Sequence, residues 1–253
     1  MIWLTNFVLA VIIQTVKFFG LEMDPKKFST QTVLELACAA YRFYDNRYIK
    51  DDLSLINPTD PNGPIFPNKD LMLIAVGINR YQSVNGIGSI PLISTNLEDK
   101  DLAEQIRKWY KKAIFTAVTG ENDFLTNVFS ILNHEEVAQN QFGYVACLPH
   151  VYKRDIKKSN IKKLLDQAED AQLGIIDQTL VDLDVEILDV KKSENYDAYN
   201  VLAIIDNKIA SWMSNKEVKE GPAVLVKGKI KAIQKSFRTD KVETRLNYVK
   251  VAQ

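Results

Sequence analysis

Apolar residues in this chain recur at helical spacing as far as about Gly174 and alternate with polar ones beyond it. From Phe28 to about Lys50, the residues Val33, Leu34, Ala37, Ala40, Tyr41 and Tyr44 share one helical face, and Thr32 with Glu35 has the form of a capping box. Asn68 is placed to cap a short apolar helix through Asn79. Leu102, Ile106, Trp109, Tyr110, Ala113 and Ala117 predict a longer helix from about Leu97 to Val118, with Gly120 at its stop. Phe124, Leu125, Val128, Ile131 and Leu132 predict another after Asn122. Between these elements, four prolines and a glycine in Asn57 to Pro67 predict an extended loop, and Gly86, Gly88 and Pro91 predict irregular structure from Tyr81 to Asn96. Gly86-Ile87-Gly88 lacks the third glycine and preceding strand of a dinucleotide fingerprint.

Beyond Gly174 the pattern is that of half-buried strands. Val181, Leu183, Val185 and Ile187 alternate with Asp182, Asp184 and Glu186. Strands around Tyr199 to Ile205 and Ile209 to Met213 are joined by Asp206 and Asn207, which tolerate positive φ in a tight hairpin. Glu217 to Pro222 interrupts. Val224, Val226, Ile230 and Ala232 then alternate with Lys227, Lys229 and Lys231, and Val242 to Val251 supplies a fifth strand. Five strands with a break after the third predict a small Greek-key barrel of the oligonucleotide/oligosaccharide-binding (OB) type. The expected fold is therefore α+β: a mostly helical domain over 1–154, a charged linker or helix over 155–173, and the barrel over 174–253. The linker assignment follows from six basic residues and one acid between Lys153 and Lys163.

The 253 residues have 46% hydrophobic and 25% charged content, which excludes collagen-like and wholly disordered chains. Cys38 and Cys147 have no CxxC spacing, and His134 and His150 have no ligand pattern around them, so no disulfide framework, metal or catalytic site is expected. The same cysteine usage suits an intracellular protein. No phosphate loop or nucleophile elbow is present, which argues against an enzyme, and no cofactor is implied. Ile2 to Phe19 is apolar, but Thr5, Asn6, Gln14 and Thr15 interrupt it and no basic stretch precedes it. It is expected to pack on the body or on a partner rather than to anchor in a membrane, with Met23 an alternative start. Arg107, Lys108, Lys111 and Lys112 are read as a solvated helix face.

Lysine plus arginine and aspartate plus glutamate both number 32, so any attraction to polyanions depends on where the charges lie. From Ala223 to Gln253 there are eight basic and two acidic residues, leaving the rest of the chain at −6. Between the fourth and fifth strands, Lys235, Phe237, Arg238 and Lys241 set an aromatic ring among cations, the combination that tracks phosphates and stacks a base. Tyr199 and Trp212 are further platforms if they face outward; equally, they fill the core. Lys229 and Arg245 complete the candidate set. If the first strand pairs with the fourth, Lys227, Lys229 and Lys231 are expected to form an ion ladder with Asp182, Asp184 and Glu186.

Three groups of segments carry a resemblance: Gly143-Tyr144-Val145-Ala146 with Leu148-Pro149; Gln172-Leu173-Gly174; and Val226-Lys227-Gly228-Lys229-Ile230-Lys231 with Thr244-Arg245-Leu246-Asn247-Tyr248-Val249-Lys250. They look like a group of tailed-phage proteins that pair a helical N-terminal region with a barrel similar to single-stranded DNA-binding modules. The resemblance implies a non-enzymatic single-stranded DNA (nucleic-acid) binding protein of phage replication or recombination, acting in the host cytoplasm. Its partners would be single-stranded nucleic acid, phage replication proteins and further copies of the chain as a homo-oligomer. The alternative is a phage structural or assembly protein that uses the barrel and the apolar N-terminus for protein contacts.

Overall fold

A computed structural model describes residues 26–50, 65–78, 91–117 and 123–253, with side chains of 113–117 left aside. The expectations for Ile2 to Phe19, for Gly86-Ile87-Gly88 and for most of Asn57 to Pro67 lie outside the described residues. The chain divides into two compact units, Met1–Lys153 and Arg154–Gln253.

In the first unit a short strand, β1 (Lys27–Ser29), leads into α1 (Thr30–Phe43), and the Ser29 hydroxyl accepts from the Thr32 amide at the helix start. Val33, Leu34, Ala37, Cys38 and Ala40 are buried on α1, as the apolar spacing requires. Helix α2 (Asn68–Ala75) is shorter than predicted. Gly77, at φ 81°, ends it: its amide donates to Ile74 and that of Ile78 to Leu73, a closing pair that needs the left-handed residue. The Asn68 side chain does not cap α2; its Oδ1 accepts from the Ile49 amide. Helix α3 (Leu97–Ala117) starts at a reciprocal cap, in which the Asn96 amide donates to Asp99 Oδ2 and the Asp99 amide to Asn96 Oδ1, both at 2.9 Å. Arg42 then clasps the same carboxylate through Nε and Nη2 at 3.1 and 2.8 Å. Helix α4 (Asp123–Asn133), strand β2 (Glu136–Ala138) paired with β1, and α5 (Phe142–Ala146) follow. Arg107 is committed to the Leu132 carbonyl and Lys108 to Glu104, so the basic face of α3 is in part structural.

Helix α6 (Leu148–Gln167) crosses the division, and residues 155–167, where a linker or exposed helix is expected, are helical. Beyond it lies a closed barrel, in the order β3-β4-β5-β7-β6, of β3 (Thr179–Lys192), β4 (Tyr199–Ile205), β5 (Lys208–Ser214), β6 (Gly221–Lys235) and β7 (Val242–Ala252). All neighbours are antiparallel except β5 and β7, which pair in parallel, as Ile209 with Glu243 and Trp212 with Leu246. The α+β class and the five-stranded OB-like barrel are as the sequence predicts. Asp206 and Asn207, at φ 47° and 54°, make the tight β4–β5 turn. Val185, Ile187, Val201, Ala203, Ala210, Trp212, Leu225, Ile230 and Leu246 fill the interior.

Two expectations are corrected by register. Asp182 adopts φ 51° and reverses the alternation of β3, so that Leu180 is buried and Val181 exposed. The ion ladder does not form: Lys229 pairs opposite Thr179 and Lys227 opposite Val181, whereas Asp184 and Glu186 face Val224 and Pro222. The antiparallel register slides the acids past the lysines, and Lys229 instead meets Asp177, before β3, at 2.7 Å.

Candidate nucleic-acid interface

The outer surface of β4 and β5 has two halves. Leu202 and Ile209 lie under the end of α6, packed with Leu165, Ala168 and Leu188. Asn200, Ser211 and Met213 continue the surface uncovered, and there a cavity of about 340 Å³ opens. Arg245 of β7 and Gln234 of β6 line one side of it and Lys191 of β3 another, while Phe237 and Arg238 reach in from the β6–β7 loop. In an OB barrel, the second and third strands with the loop before the fifth strand are the surface that takes oligonucleotides. Here those parts are β4, β5 and the loop 236–241.

The loop is held at both ends. The Ser236 amide donates to the Lys241 carbonyl at 2.9 Å, and the Ser236 hydroxyl donates to Glu243 Oε2 at 2.7 Å while accepting from the Arg238 amide. Lys241 ties it to α6 by donating to the carbonyls of Leu165, Asp166 and Ala168, a cation placed on the negative end of a helix. On this fixed base Phe237 is 82% exposed, with the Arg238 guanidinium 4.7 Å from its ring centroid.

The eight candidate residues therefore separate. Phe237, Arg238, Trp212 and Arg245 line one cavity. Trp212 does so from within the core at 4% exposure, so it is a wall of the barrel and not an open platform. Tyr199 is half-buried and, by strand alternation, shares the side of Val201, away from Asn200. Lys235 meets Asp240 at the surface at 3.4 Å, a contact that holds little in water. Lys229 meets Asp177 and has its ammonium held above the usual lysine value by that hydrogen bond. Lys241 is spent on backbone carbonyls, so its role is to position the loop. Arg238 and Arg245 enter no ion pair among the described residues.

Sequence reading missed Asn200, Ser211 and Glu243. Glu243 is 2% exposed and accepts from Ser211 Oγ at 2.5 Å and Ser236 Oγ at 2.7 Å. Its place depends on the parallel β5–β7 pairing of segments more than 30 residues apart, which no local pattern records. On β3, Asp189 meets Lys157 and the cavity-lining Lys191, each at 3.1 Å. Burial would raise the Asp189 carboxyl, but the hydrogen bonds from Lys191 and Lys157 outweigh it and hold the group below its usual value. Among the described residues no group of three or more metal-ligating side chains converges, and no helix is long and apolar enough to cross a membrane.

Comparison with protein-family models, with curated proteins and with solved structures gives no match.

Proposed function

We propose that the barrel binds single-stranded nucleic acid across the open half of β4 and β5, with the 236–241 loop as its stacking arm. The observation that carries the reading is Phe237: a fully presented ring beside a guanidinium, on a loop fixed by Ser236 and Lys241, next to a cavity lined by Arg238 and Arg245. An exposed aromatic of this kind costs solubility and adds nothing to the core, whereas a base stacked on it contributes ~1–3 kcal/mol. Arg238 and Arg245 supply phosphate contacts, and binding through them weakens as salt rises. Single strands are favoured over duplex because stacking needs an unpaired base face. The setting in phage DNA replication or recombination rests on the resemblance alone and belongs to the same proposal, as does a non-enzymatic role.

A second reading draws on the wall of β3, β6 and β7, where Val181, Val226 and Tyr248 are exposed. Apolar side chains there suit the alternative role, protein contact in a phage structural or assembly protein. Fluorescence anisotropy of labelled single-stranded oligonucleotides, titrated at several salt concentrations, decides between them. The first reading expects binding with a negative salt slope that Phe237→Ala weakens; no binding at low salt would remove it.

A further inference from the structure

Glu243 is out of place on a surface that tracks phosphates. It lines the cavity together with Arg245 and the Phe237–Arg238 arm, it is 2% exposed, and it makes no ion pair among the described residues. Two hydroxyls are its hydrogen-bond donors there: Ser211 Oγ to Oε1 and Ser236 Oγ to Oε2. Serine donors compensate a buried carboxylate only in part. Each carboxylate oxygen has two acceptor sites, so one remains on each after the serines are counted. A phosphate is repelled by such a group. What it accepts is a pair of adjacent N–H donors.

Among the bases, this requirement selects one edge. Guanine presents N1–H and N2–H side by side, spaced to meet the two oxygens of a carboxylate. Cytosine and adenine present one amino group beside a bare ring nitrogen, whose lone pair faces the second oxygen. Thymine and uracil present N3–H between two carbonyls. The cavity of about 340 Å³ lies at the small end of the ~300–1,000 Å³ range of ligand sites and suits a single base.

We propose that this cavity seats one guanine of the bound strand and that Glu243 reads its N1–H and N2–H edge, with Ser211 and Ser236 fixing the carboxylate. The proposal rests on the nucleic-acid reading above and sharpens it, because a barrel using Phe237, Arg238 and Arg245 alone would be indifferent to sequence.

The experiment measures anisotropy of the full chain with oligothymidine strands carrying one central dG, deoxyinosine, dA or dC. The unmodified protein is expected to bind the dG strand about tenfold more tightly than all-thymidine, in the range of one good bidentate base contact. Deoxyinosine lacks the 2-amino group and should lose most of that gain, an arm that needs no variant. Glu243→Gln should erase the dG preference, read as the ratio of dG to all-thymidine affinity in that same variant, whatever its affinity for all-thymidine. A role confined to holding the loop would instead lower affinity for every strand alike and keep the ratio. Equal affinity for dG and all-thymidine strands, equal affinity for dG and deoxyinosine, or a preserved ratio in Glu243→Gln each overturns the inference while binding itself stands. No binding of any strand overturns both this inference and the function from which it starts.

Discussion

Lys241 Nζ donates to the carbonyl of Leu165 at 3.1 Å, and this bond ties the loop that presents Phe237 to the last turn of α6. The cation that charge patterning alone assigns to phosphate is thereby committed to the carbonyls at a helix end. Lys241→Gln should destabilise the second unit by about 1–2 kcal/mol, from lost charged hydrogen bonds to a helix end. Its salt slope should stay near that of the unmodified protein. Arg238→Gln should lower the slope of log affinity against log salt by ~0.7, as one lost phosphate contact on a single strand does. Thermal unfolding and salt titration of the two variants separate the roles; a salt slope that falls in Lys241→Gln would return that residue to the interface.

Phe237 and Trp212 line the same cavity but belong to opposite sides of the barrel wall. Phe237→Ala should leave unfolding within about 0.5 kcal/mol of the parent and weaken binding by ~1–3 kcal/mol. Trp212→Ala should cost about 3–5 kcal/mol of stability through the cavity it leaves. Urea denaturation of both variants, with anisotropy on the folded ones, reads the contrast.

The ion pairs of Asp189 and Lys157 make the stability of the second unit depend on pH at both ends. Asp189 is held below the usual aspartate value, so its contribution is complete above about pH 4, the unfolded value, and is lost as pH falls through the folded one. Burial alone would depress the Lys157 ammonium, but its bonds to Glu220 and Asp189 raise it, so that contribution is complete below about pH 10 and is lost as pH rises further. Asp189→Asn should flatten the acid limb of a plot of melting temperature against pH, and Lys157→Met the alkaline limb. The loss near neutral pH should be about 1–2 kcal/mol for each, because Lys157 is 44% exposed and water screens the pair.

A fragment of residues 154–253 should be more stable than one of residues 174–253. The longer one keeps Leu165 and Ala168 over Leu188, Leu202 and Ile209, which the shorter one bares to water. Comparison of their urea midpoints, with dye binding to exposed apolar surface, tests this. Equal midpoints would make the end of α6 dispensable to the barrel.

In the first unit the Tyr44 hydroxyl both donates to the Phe66 carbonyl at 2.7 Å and accepts from the Phe66 amide at 3.0 Å. Tyr44→Phe should cost about 1–3 kcal/mol, the range for losing two hydrogen bonds at a buried residue, although it removes a single atom. Thermal unfolding of the full chain, followed by helix content, measures it.

The local sequence by itself determined the elements whose causes are local. Val33 to Ala40 at helical spacing make α1, and Asp206-Asn207 at positive φ make the β4–β5 turn, because a helix face and a two-residue hairpin are each decided within a few residues. It also determined that Phe237 and Arg238 lie together in a loop, since they are neighbours. Only the tertiary structure decided what each cation is for. Lys229 and Lys241 read alike along the chain, yet barrel register sends one to Asp177 and the other to the end of α6. Trp212 is open or buried depending on which side of β5 is inside, and closure through the parallel β5–β7 pairing puts it in. The same pairing sets Ser211 beside Glu243 in the cavity that Phe237 also lines. That pocket forms from strands distant in sequence, and pairing between distant strands depends on the closure of the whole barrel rather than on any short pattern of residues.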